Sequence, residues 1–124
     1  MNTYAKTGQK LFALTFIMGG LLHITGPTFT VQQVPTFFPA PLFWVYLTGI
    51  GQLCFAVSIL IERFDKLAAL LLALMMIVFI ATMHVPKAVA GDFMGVISAM
   101  RDMGYAGAAL LYAGAIAKDN RIIG

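Results

Sequence analysis

Four long apolar runs, at roughly 10–26, 41–61, 67–84 and 96–117, fill most of this chain and dictate the solvent in which it can fold. Hydrophobic residues make up 60% of the sequence and charged residues only 10%. A soluble domain of this size carries about a quarter of its residues as Asp, Glu, Lys or Arg. The bilayer must therefore solvate most of the surface. A helix needs about 20 apolar residues to cross a ~30 Å hydrocarbon core at 1.5 Å per residue. The second and fourth runs have that length, and the first and third reach it by extending into their flanks. Open strands would leave backbone groups unsatisfied in lipid. The expectation is an all-α membrane protein, one domain over residues 1–124, built as a four-transmembrane-helix bundle.

The first run follows Lys6 and Lys10, as a signal peptide would. However, it ends in a Gly26-Pro27 turn with no small-x-small cleavage site, and three further runs follow. It is read as a retained helix. Lys6, Lys10, Arg63, Lys66, Lys118 and Arg121 fall on one side of the spans, leaving Lys87 and Arg101 on the other. The positive-inside rule then places both termini in the cytoplasm of a multi-pass inner-membrane protein. The net charge of +3 is scattered over helix ends with no basic patch, which argues against nucleic acid. A single cysteine, Cys54, excludes a self-contained dithiol cycle and reads as a small core residue.

The connection 27–41 is uncharged and holds four of the five prolines. With Phe29, Phe37 and Phe38 it predicts a stiff, unhelical segment lying in the interface or folded over the bundle mouth. Trp44 and Tyr46 open the second helix at aromatic-belt depth. The short joint 62–66 predicts a tight antiparallel hairpin of helices two and three, and Pro86, Gly91 and Gly95 predict the end of helix three. Small residues at Gly19-Gly20, Gly49 and Gly51 predict close helix approach, as do Gly104, Ala108, Ala109, Ala113 and Ala117 in helix four.

Ionisable groups gather where three of the runs reach one face: His23, His84, Arg101 and Asp102. Ionisable groups inside a membrane are costly and mark functional sites. Imidazole exchanges a proton near neutrality, so His23 and His84 are the catalytic candidates. Gly19, Phe16 and Phe12 share the helical face of His23, which should point inward. Arg101 and Asp102 are adjacent and splay about 100° apart, so each is expected to pair elsewhere. Arg101, Tyr105 and Tyr112 form a stripe suited to an anionic or quinone-like headgroup, with a snorkelling Arg above interfacial tyrosines as the plainer reading. Gln52 stands near mid-membrane, for an interhelical hydrogen bond or a ligand. His23, His84 and Asp102 match the count of a two-His, one-carboxylate metal site, but no ligand spacing supports one and no metal is expected.

The stretches "GGLLHITGPTF", "VPTFFPAPLFWVYLTGIGQLCFAVSIL" and "ERFDKLAALLLALMMIVFIATMH" together resemble the DoxX-like membrane proteins over about residues 15–90. His23, Pro27, Pro35, Gly49 and Gly51 match positions of that family's pattern, whereas Gln52 stands in place of its acidic residue in helix two. The resemblance implies a bacterial inner-membrane four-helix bundle associated with quinone-dependent oxidase or thiol-stress complexes, or an assembly factor.

The expected function is a redox-associated subunit that binds a small lipophilic, quinone-like ligand in its outer half. His23, Gln52, His84, Arg101, Tyr105 and Trp44 would hold the ligand, and quinone is the cofactor suggested. Its partners would be the bilayer, a membrane redox complex or a second copy. Two other classes fit the sequence: an assembly scaffold without ligand, and a histidine-dependent lipid-modifying enzyme.

Overall fold

The computed structural model describes residues 1–34 and 36–121, apart from the side chains of Phe29, Thr30 and Gln33. Pro35 and the ring of Phe29, both singled out in the sequence, lie outside that description. The fold is all-helical, with four principal helices. The first, α1 (Thr3–Thr25), begins well before its apolar run because Asn2 caps it, its Oδ1 accepting from the Ala5 amide at 2.8 Å. It ends where the Gly26 amide closes onto the Leu22 carbonyl at 2.8 Å.

The connection that follows is not the unhelical segment expected. Pro27–Thr30 forms a helical turn and Val31–Gln33 a 3₁₀ turn. Pro27 opens that turn, where its missing N–H sacrifices no bond. The aromatic part of the connection does pack on itself. Phe37 lies 4.7 Å from Phe38, and Phe38 5.9 Å from Trp44, between ring centroids.

The helix α2 (Pro41–Ile61) and the helix α3 (Asp65–Val89) are joined by three residues. Two of these, Glu62 and Phe64, adopt left-handed backbone (φ 57° and 53°), which lets so short a joint reverse the chain. Pro86 does not end α3. The helix widens into a π turn over Ile80–His84 and continues through Val85–Val89. The wide turn loosens the hydrogen-bond ladder just where Pro86 removes a donor, so the proline is absorbed. Gly91, at φ 94°, then redirects the chain. The last helix, α4 (Phe93–Leu111), is capped by Asp92, whose Oδ1 accepts from the Met94 amide at 3.0 Å, and it runs on into a second π turn at Tyr112–Ile116.

The helices pack most closely as α1 on α2 and α3 on α4, with α2 against α3 joining the pairs. The α1–α2 seam is set by glycine. A Cβ on Gly20 would stand 2.8 Å from the Gly49 carbonyl oxygen, and one on Gly49 would stand 2.8 Å from the His23 Cβ. Gly51 and Gly104, expected in such contacts, face open space. Cys54, expected in the core, is exposed. Phe12, Phe16 and Phe55 meet edge-on at 5.2–5.4 Å, and Phe16 reaches Tyr105 across the bundle at 5.2 Å. Alanines at 13, 56, 69, 73, 106, 109 and 113 fill the rest of the core with Ile59, Leu72 and Met76.

Among the described residues, α2 and α3 are long and apolar enough to cross a membrane. Large apolar side chains also point outward from all four helices, for example Leu14, Ile50, Leu74 and Met100.

Candidate functional site

His84 and Asp102 meet in the interior, His84 Nε2 lying 2.7 Å from Asp102 Oδ2, with 8% and 4% of their side chains exposed. Two local features produce this contact. The π turn ends at His84 and rotates it towards α4. Gly95 then lets α4 close on α3, since a Cβ there would stand 2.7 Å from the Ala88 nitrogen and 2.9 Å from the His84 carbonyl oxygen. A carboxylate on Nε2 holds the ring in one orientation and keeps a proton on that nitrogen.

Arg101 corrects a sequence expectation. Its Nε donates to Asp102 Oδ1 at 3.1 Å although the residues are adjacent, because the long, half-exposed side chain folds back around the helix. Asp102 therefore has one oxygen on each partner. Arg101 and His84 are brought together through it.

The remaining predicted residues lie elsewhere. His23 is half-buried on the α1–α2 seam, and its Nδ1 lies 2.7 Å from the Gly19 carbonyl of its own helix. Gln52 is 6% exposed, its Oε1 seated over Gly19, and it makes no hydrogen bond to the described residues. Tyr105, one turn from Asp102, packs on Phe16, one turn from Gly19, so that ring pair spans the space between the seam and the acid–base pair. Trp44 packs against the connection 27–41, its Nε1 donating to the Pro39 carbonyl at 2.7 Å. Among the described residues no three His, Cys, Asp or Glu side chains converge, so His23 does not join His84 and Asp102 as a ligand set.

Tyr112 is not part of the Arg101 stripe. It belongs to a second polar cluster at the opposite end of the helices, which the sequence reading missed. Asp65 is fully buried there and accepts from the Tyr112 hydroxyl (2.9 Å), the Lys118 amide (3.0 Å) and the Asp119 amide (2.8 Å). Asp119 in turn accepts from the Phe64 amide at 2.7 Å, and Lys118 Nζ pairs with Glu62 Oε2 at 3.0 Å. That ammonium holds the Glu62 carboxyl below its ordinary value. The signal available was Asp65 itself, an acid opening an apolar helix, and Gln9, which falls among apolar positions of α1.

Grooves indent the surface formed by the described residues. One of about 280 Å³ lies between α2 and α3 beside Cys54 and Ser58, and one of about 660 Å³ between α1 and α4 beside Gln9 and Tyr112. None of His23, Trp44, Gln52, His84, Arg101 or Tyr105 lines either.

Residues 12–102 match the family model described as "Domain of unknown function (DUF8561)". The chain belongs to the DUF8561 family. No curated protein and no solved structure matches it. The DUF8561 span runs from Phe12 to Asp102. It thus takes in the glycine seam, Gln52 and the whole His84–Asp102 pair, but stops short of Gln9, Tyr112 and Asp119 at the other end.

Proposed function

We propose that this protein is a four-span, DoxX-like subunit of the bacterial inner membrane. Both termini are cytoplasmic, and a small lipophilic, quinone-like ligand binds near the outer face. Three observations favour the four-span reading. Apolar side chains face outward on every helix. Asp65 and His84 lie about 28 Å apart along α3 at 1.5 Å per residue, close to the ~30 Å thickness of a hydrocarbon core. Lys118 and Arg121 gather beside the α2–α3 joint, where Arg63 and, in the first turn of α3, Lys66 also stand, which gives one end of the bundle its positive excess.

The observation that carries the ligand reading is the buried 2.7 Å contact between His84 Nε2 and Asp102 Oδ2. Asp102 orients the ring so that Nδ1 can exchange a proton or hydrogen bond with a quinol hydroxyl, while Arg101 offers its remaining donors to a ring oxygen. Gln52, whose amide is without a protein partner among the described residues, stands with His23 on the α1–α2 seam, across the Phe16–Tyr105 ring pair, where they would meet the deeper part of the ligand. The protein is then a redox-associated binding subunit.

The test is the organic extract of gently purified protein. A bound quinone is expected in the wild type and is lost in His84→Ala and Arg101→Ala; unchanged content in both variants rejects the reading. Orientation is checked separately with an impermeant maleimide in a Cys54→Ser background. Thr36→Cys should label on intact cells and Asn120→Cys only after lysis.

A further inference from the structure

The opposite end of the molecule holds an unsatisfied acceptor. Gln9 is 7% exposed. Its Nε2 donates to the Ile59 carbonyl at 2.7 Å and to the Tyr112 hydroxyl at 3.2 Å, with Glu62 Oε1 farther off at 3.5 Å. Two acceptors on the nitrogen settle which end of the amide is which. The Tyr112 proton is committed to Asp65, so it is not returned to Gln9. Gln9 Oε1 consequently accepts nothing from the described residues. Every fully sealed side-chain nitrogen or oxygen among them is hydrogen-bonded. Oε1 is therefore not sealed, and the opening that Gln9 lines is the 660 Å³ groove between α1 and α4.

The groove's chemistry narrows what can occupy it. Its described lining contains no charged side chain. Phe12, Thr15, Ala108 and Leu111 form an apolar channel running away from Gln9, and Thr15 lies about 9 Å farther along α1. Gln9 itself is at the level of Ile59 and Glu62, where α2 ends. A matching ligand has an uncharged hydrogen-bond donor at one end and a hydrocarbon chain behind it. An ammonium or phosphate headgroup would bring a charge that the lining does not answer.

We propose that this groove binds a neutral, hydroxyl-bearing glycerolipid of the diacylglycerol type. Its free hydroxyl donates to Gln9 Oε1, and one acyl chain lies between α1 and α4. The second chain remains in the bilayer, because the groove opens sideways beside the exposed Tyr4 and Leu111. The inference rests on the membrane-spanning reading but not on the quinone-like ligand at the other end.

The experiment incorporates the full chain into phosphatidylcholine nanodiscs containing either dioleoylglycerol or its O-methyl ether, and counts retained lipid by native mass spectrometry. The two probes share their chains and differ in the one donor. The wild type should retain the free alcohol about five- to tenfold better, the worth of one hydrogen bond. Ala108→Trp, which fills the channel without touching the Gln9 amide, should abolish retention of both. Gln9→Leu should erase the preference between them. Equal retention of alcohol and ether by the wild type overturns the proposal, as does undiminished retention by Ala108→Trp; both readouts stand even if Gln9→Leu does not fold. Carbonate extraction of cell membranes reports on the spanning reading independently, so its failure is distinguishable from failure at the groove.

Discussion

The Tyr112 hydroxyl donates to Asp65 Oδ2 at 2.9 Å, and through this bond the end of α4 is tied to the start of α3. The same carboxylate accepts the Lys118 and Asp119 amides, while the Asp119 carboxylate accepts the Phe64 amide. Each acid thus caps the backbone that carries the other. Asp65 has no exposed surface, and hydrogen bonds from Tyr112 and from the Lys66, Lys118 and Asp119 amides reach its two oxygens.

Removing one donor from Asp65 should be milder than removing Asp65. Tyr112→Phe deletes a single bond and is expected to destabilise the protein by about 1–2 kcal/mol. Asp65→Ala strands several donors at once and should cost more than about 3 kcal/mol. Unfolding in mixed micelles measures both. Equal losses would mean that the carboxylate does not organise the cluster.

The pH response of the Asp119 clamp has a definite sign. Hydrogen bonds from the Arg121 side chain, then from the Phe64 and Arg121 amides, hold the Asp119 carboxyl well below the usual carboxylate range. A depressed folded-state value contributes stability that is fully present above the unfolded value of about 3.9 and is lost as pH falls through the folded one. The Phe64 amide resonance should therefore stay constant from neutral pH to about 4 and shift only in stronger acid. In Asp119→Asn the shift should already be present at neutral pH. A midpoint in the wild type at or above the ordinary carboxylate value would contradict this.

Glycines that look alike in the sequence differ in what surrounds them. At Gly20 an added methyl meets the Gly49 carbonyl and the Leu53 side chain, both within 2.8 Å, and backbone cannot yield cheaply. Gly20→Ala should force α1 from α2 and cost about 1–3 kcal/mol. At Gly104 the methyl meets nothing within 4 Å, and Gly104→Ala should gain about 0.5–1 kcal/mol from helix propensity. Thermal unfolding of the two variants, run side by side, is the check.

The same contrast shows what the sequence makes legible. Apolar runs located α2 closely, because a helix made of apolar residues is bounded by the turns that break it. They missed the first residues of α1, since Asn2 capping extends a helix into polar sequence. Pro86 was misleading because a π turn, which has no sequence signature, accommodates it. His84 and Asp102 were both readable as unusual groups in lipid, but their pairing depends on that turn and on the Gly95 approach. Arg101–Asp102 was excluded by helical geometry at the backbone, which says little about where a long side chain ends. The Asp65 cluster was hidden because it is assembled by backbone amides of residues 118 and 119, and backbone donors are invisible to residue type.

Stability and function can be separated at the His84–Asp102 pair. His84→Ala leaves the Asp102 carboxylate, 3% exposed, with Arg101 Nε as its remaining side-chain partner, and should destabilise the protein by about 1–3 kcal/mol. Replacing both residues, as His84→Leu with Asp102→Leu, removes the stranded charge together with its partner. Buried ionic pairs exchanged for apolar residues are often neutral or better. The double variant should therefore unfold near the wild-type temperature and above the His84→Ala variant. If the pair serves a ligand, that stable double variant will still lose the lipophilic molecule. A structural pair predicts the opposite, with ligand content following stability, so measuring both quantities on the double variant decides between the roles.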